Sequence, residues 1–131
     1  MNVQEYIKED GSSPFQQWFD SLDAIAAAKV AVATSRLALG NTSNVKWFSG
    51  IGEYKINWGS GYRIYLAQDG KELIILFAGG TKKEQQSDIE QAIALHQEYQ
   101  QRKRKAHQEK AKKELDKVKK QTDPKKRKKR K

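Results

Sequence analysis

From Val45 onward the chain stops repeating every three or four residues and begins to alternate every two. In EYKINW, Tyr54, Ile56 and Trp58 point one way while Glu53, Lys55 and Asn57 point the other, as a half-buried strand requires. GSG at 59 to 61 supplies a turn, and in the following YRIYL, Arg63 and Tyr65 share a face. A second turn, QDG at 68 to 70, leads into ELIILFA, apolar on both faces and therefore a central strand. Strands joined by turns this short lie antiparallel, so a three-strand meander is expected, with one greasy and one polar face.

Upstream, NVQEYIKE has the composition of a short strand closed by EDGSS. Ser13, Pro14 and Gln16 form a helix start: Ser at the N-cap, Pro where its missing N–H costs nothing, and Gln placed to complete a capping box. In the short helix that follows, Phe15, Trp18, Phe19 and Leu22 fall on one face, which reads as core. Asp23 opens a second helix in which Ile25, Val32 and Leu39 recur at heptad spacing, and Gly40 and Asn41 stop it. The expected class is α+β: a small antiparallel sheet, made of the N-terminal strand and the meander, packed on two antiparallel helices.

After GGTKKEQ a helix is expected to restart at Ser87 with Glu90 as its capping partner, burying Ile89, Ala92, Ile93, His96 and Tyr99. Beyond residue 101 only Leu115 and Val118 are large and apolar, and all three Trp, four Phe and five Tyr precede residue 100. The division is therefore a domain over 1–100 and a Lys/Arg-rich extension over 101–131, part helical and, in DPKKRKKRK, disordered. Charge follows it: residues 1 to 100 carry 9 Lys+Arg against 12 Asp+Glu, net −3, and residues 101 to 131 carry 17 against 4, net +13, which sum to the chain's +10.

The chain has no cysteine and two distant histidines, which excludes disulfides and thiolate chemistry and gives no reason to expect a metal or other cofactor. With no run near the ~20 apolar residues of a spanning helix and no apolar N-terminal segment, a cytoplasmic protein is expected. The polar face of the meander holds Glu53, Lys55, Asn57, Arg63 and Tyr65, with Lys82 and Lys83 at its exit and Lys46 near its start. Cations clustered on an acidic domain suit a phosphate-bearing ligand. The plainer reading is cross-strand charge balance with Glu53, worth a few tenths of a kcal/mol.

The element order, together with DGSSPFQQWFDSLD at 10 to 23, SGYRIY at 60 to 65 and GGTKKEQQSDI at 79 to 89, resembles the RelE/ParE superfamily of toxins. More narrowly it is similar to the HigB-like branch, over roughly residues 1 to 100. The resemblance implies a RelE-like fold and a type II toxin that cleaves mRNA in the ribosomal A site without metal or small-molecule cofactor. It also implies a cognate protein antitoxin, of the helix-turn-helix kind, encoded beside it. On this pattern Arg63 matches the family arginine after the GY pair, Lys55 the basic residue of the preceding strand and Lys82 the lysine of the GGDK-like motif, with Lys46 near a further basic position. Lys83, Tyr65 and Asn57 would contact RNA. Thr81 stands where Asp is usual, Asn57 where the RelE branch has a second lysine, and the general base stays open. Two other readings remain: a ParE-like gyrase inhibitor, and a non-catalytic RNA- or ribosome-binding protein.

Seventeen cations in thirty-one residues bind polyanions through counterion release, so Arg102, Arg104 and Lys105 open an expected anchor on ribosomal RNA. His96 reads as a packing residue, and Trp47 and Phe48 as residues buried under a strand edge.

Overall fold

The computed structural model describes residues 1–121; the terminal basic run expected to be disordered lies outside them. The class is α+β, with a five-stranded sheet. The elements are β1 (Asn2–Glu5), α1 (Pro14–Asp20), α2 (Ala24–Ala38), β2 (Val45–Phe48), β3 (Ile51–Ile56), β4 (Tyr62–Asp69), β5 (Leu73–Gly80), a 3-10 turn (Lys82–Glu84) and α3 (Gln85–Gln121). The sheet order is β1-β5-β4-β3-β2. By contacts the chain divides into one unit over Met1–Gln97 and a second from Glu98 on. Among the described residues no helix is long and apolar enough to cross a membrane.

Two expectations about the sheet are corrected. The meander has four strands, because β2 pairs with β3 across a two-residue hairpin whose Ser49 and Gly50 both have positive φ, 52° and 81°. Such primed turns match the strand twist, and the Ser-Gly pair between VKWF and IGEY is the signal for it. The sheet is also mixed: β1 runs parallel to β5, Asn2 opposite Leu73 and Glu5 opposite Leu76. The first correction explains the second, since each hairpin reverses the chain and the extra strand turns β5 round to point along β1.

The helix starts follow the local chemistry. Ser13 Oγ accepts from the Gln16 amide at 3.1 Å with Pro14 in the first turn, and Asp23 accepts from the Ala26 amide at 2.8 Å. The capping box at Ser13 is not reciprocal, because the Gln16 side chain donates forward to Asp20 at 2.7 Å. Phe15, Trp18, Phe19 and Leu22 pack as expected on the first core, with Val30, Ala33, Leu37, Tyr54, Ile64, Leu66, Ile74 and Leu76. On α2 the buried face is Ala26, Val30, Ala33 and Leu37, with the alanines at 26 and 33 letting the helix lie close to the sheet, while the heptad residues Ile25, Val32 and Leu39 are exposed.

A second core lies on the other face of the sheet, under the start of α3, where Ile51, Tyr65 and Ala92 are buried with Phe48, Ile89 and Ile93 against them. Phe48 is thus covered as expected, whereas Trp47 on edge strand β2 is exposed, its ring close to where Gly52 lacks a side chain. His96 packs against Phe77, ring centroids 5.6 Å apart, and burial pushes its pKa down. Helical geometry starts at Lys82, ahead of the expected cap at Ser87, whose hydroxyl instead donates to the Glu84 carbonyl at 3.1 Å.

Gly79 and Gly80 are consecutive and therefore face opposite cores. A Cβ on Gly79 would collide with the Trp18 ring and one on Gly80 with the Asp88 carboxylate, so the double glycine admits a helix side chain on each side.

Candidate nucleic-acid interface

Strand register decides which of the candidate residues meet. One row across the sheet reads Lys46, Glu53, Tyr65, Ala78, and the next reads Lys55, Arg63, Gly80. The expected sharing of one face by these cations is therefore present. That face is not open throughout, because the first turns of α3 cover it. Lys46 and Lys55 are exposed, while Glu53 and Arg63 are buried and Tyr65 is inaccessible.

Beneath α3 these buried groups form one polar network. Glu53 Oε2 accepts hydrogen bonds from the Tyr65 hydroxyl and from Gln85 Nε2, both at 3.0 Å. Arg63 Nε stands 3.6 Å from the same oxygen, an ion pair too long to be a hydrogen bond, and its Nη1 donates to the Gly61 carbonyl at 2.9 Å. A guanidinium only 4 % exposed needs such a counter-charge to remain in the interior. Burial, then the hydrogen bond to Glu53, raises the Tyr65 pKa far above its ordinary value. Tyr65 therefore holds Glu53, and Glu53 faces Arg63, while Tyr65 has no exposed surface for the RNA contact expected of it.

The GSG turn explains how Lys82 joins them. Gly59 and Gly61 adopt left-handed φ of 57° and 76°, which folds Ser60 back so that its carbonyl accepts from the Lys82 amide at 3.4 Å. Where Gly61 lacks a Cβ, Arg63 Nη1 and Lys82 Cβ approach to 3.5 and 3.7 Å, so Arg63 and Lys82 flank one glycine. Lys83 is exposed on the same turn. At this end of the sheet exposed Lys55 is the register neighbour of buried Arg63, and exposed Lys82 and Lys83 lie on the adjoining turn, a setting suited to a polyanion backbone.

The remaining candidates lie elsewhere. Asn57, past the end of β3, lines a cleft beside α2 that Lys55 also borders. Arg102, Arg104 and Lys105 belong to α3 in the second unit, Arg102 half-buried and the other two exposed. Two residues escaped the sequence reading. Gln85 is the second donor to Glu53, and Asp88 lies over Gly80 with a buried Oδ2 that has no hydrogen-bond partner among the described residues. Burial, with Glu84 adding to it, raises the Asp88 pKa. Nothing in the sequence marks either except their place just after the double glycine.

Fold and register define a small α+β protein whose mixed sheet carries cations at one end. No family model matches the chain. It is similar to a Haemophilus influenzae protein described as uncharacterized, 41% identical over 86 residues that span 64% of this chain and 87% of that protein, and it belongs to the same family as that protein.

Proposed function

We propose that this chain is a RelE-like toxin of the HigB-like kind, a ribosome-dependent endoribonuclease paired with a helix-turn-helix antitoxin and acting on translated mRNA in the cytoplasm. The observation that carries the reading is the register: Lys55 lies beside Arg63, and Lys82 approaches the same Gly61 from the adjoining turn. In the proposed reaction the ribose 2′-oxygen attacks the adjacent phosphorus and the bond from phosphorus to the 5′-oxygen breaks. The products are a 2′,3′-cyclic phosphate and a 5′-hydroxyl. The 2′-proton passes to a base, and the leaving oxygen takes a proton from an acid. Lys55 and Lys82 supply reachable positive charge and a proton for the leaving group, while Arg63, fixed by Glu53, adds charge from beneath. An oriented donor at a developing anion contributes about 10² to 10³ in rate.

One observation favours a second reading, a non-catalytic RNA- or ribosome-binding protein: Arg63 is 4 % exposed and already engaged by Glu53 and Gly61. A reconstituted translation reaction with primer extension separates the two. Cuts on translated message only, reduced at least tenfold in Lys55→Ala and Lys82→Ala proteins that fold normally, support the nuclease. Intact message with stalled translation supports the second reading, and inhibition of DNA supercoiling instead would indicate a gyrase inhibitor.

A further inference from the structure

The cleft beside α2 is built from three sources. β2 begins at Val45, opposite Tyr54, so among the described residues Lys55 and Ile56 of β3 have no strand partner on that side. The open edge faces α2, whose Lys29 and Arg36 are seven residues apart and so on one face, and Asn44 and Asn57 come from the adjoining loops. The cleft is open to solvent and has a volume of about 360 Å³, within the size range of small-ligand sites.

Its chemistry is one-sided. Lys29 and Arg36 of α2 contribute cations, Lys55 borders it from the strand edge, and among the described residues no carboxylate lines it. The Trp58 ring stacks on Tyr62, centroids 5.8 Å apart and planes 19° from parallel, and the Lys29 ammonium stands 5.9 Å over it. Tyr62 thus braces an aromatic platform with the Lys29 ammonium beside it. Carboxamides both donate and accept, as base edges require.

We infer that this cleft holds one nucleotide of single-stranded RNA, its phosphate between Lys29 and Arg36, its base between Trp58 and the carboxamides of Asn44 and Asn57. This rests on the RNA-directed reading above and adds a second contact to it, on the other side of Lys55. An acidic peptide would use the cations but gains little from two carboxamides and a braced indole.

The test is a nuclear magnetic resonance titration of the full-length isotope-labelled protein with a short oligouridylate, following the Asn44 and Asn57 side-chain amides and the Trp58 indole N–H. These should shift saturably, and the double variant Lys29→Ala/Arg36→Ala should weaken that response about tenfold through the loss of two phosphate-neutralising charges. Asn57→Ala, outside any helix or strand, should weaken it while leaving the remaining spectrum in place. Shifts confined to residues 101–121, equal shifts with inorganic polyphosphate, or preferential binding of polyglutamate would each overturn the inference. Cleavage of translated message is read separately on wild-type protein: cleavage without cleft binding refutes this inference alone, and cleft binding without cleavage refutes the nuclease alone.

Discussion

Replacing Gly79 by alanine isolates the close packing of α1 on the sheet. The Gly79 backbone is ordinary, so space alone is at issue, and a Cβ there meets three atoms of the Trp18 ring. Overpacking of a filled site costs about 1–3 kcal/mol, and replacing a strand glycine by alanine returns about 0.5–1. The expected net loss is roughly 1–2 kcal/mol, a fall of about 4–8 °C in Tm for each kcal/mol in a domain of this size. With Trp18→Ala the obstacle is gone, and the sign should reverse: Gly79→Ala then stabilises by about 0.5–1 kcal/mol. The coupling, roughly 2 kcal/mol, falls in the range for touching residues. Urea unfolding of the wild type, both single variants and the double variant, followed by far-UV circular dichroism, measures it. An equal cost of Gly79→Ala in both backgrounds would refute steric admission of Trp18 as the reason for the glycine.

Arg63→Ala should destabilise the fold by about 3 kcal/mol, because it leaves the Glu53 carboxylate buried without its cation, and adding Glu53→Gln should recover part of that in thermal melts. Loss of activity in Arg63→Ala alone therefore does not report on catalysis. Asp88→Asn should stabilise the protein by about 1 kcal/mol at neutral pH. The folded protein raises this pKa above 3.8, so its favourable contribution is full below that value and is lost as pH rises through the folded one. Melts at about pH 3, where both states are protonated, should show no gain, and a gain there equal to that at neutral pH would contradict the assignment. Deleting residues 103–131 should lower ribosome affinity and flatten its dependence on salt; unchanged affinity at low salt would exclude an anchoring role.

What the sequence disclosed depended on whether a signal was local. Caps at Ser13 and Asp23, the turns at Gly59–Gly61 and Gly70, and the period of β3 and β4 are short-range, and they could be read directly. The parallel pairing of β1 with β5 is not, because a strand does not encode its neighbour's direction, and overlooking the Ser49-Gly50 hairpin inverted the parity. On α2 the heptad of large residues was a poor guide to its buried face, since alanine at 26 and 33 allows a close approach that bulk would forbid. At the candidate site the row shared by Lys55 and Arg63 followed from alternation and turn position. The burial of Arg63 did not, because it depends on where α3 crosses the sheet, and a sequence half polar and half apolar at Tyr65 and Glu53 does not show that a helix will cover it.

The pairing of Asn2 with Leu73 also sets an order of events during synthesis. β1 leaves the ribosome before the other described strands, yet its partner is made some seventy residues later, roughly 4–14 s at ordinary elongation rates. Hairpins β2 to β5 need only neighbouring segments and can close as they emerge, whereas β1 must wait with its hydrogen-bonding groups in water. The row of Lys55 and Arg63 depends on β3 and β4, but Lys82 and the α3 cover come after β5. The cationic end of the sheet is thus completed late, and a nascent chain halted before residue 80 carries the strands of the site without its lysine turn or its lid.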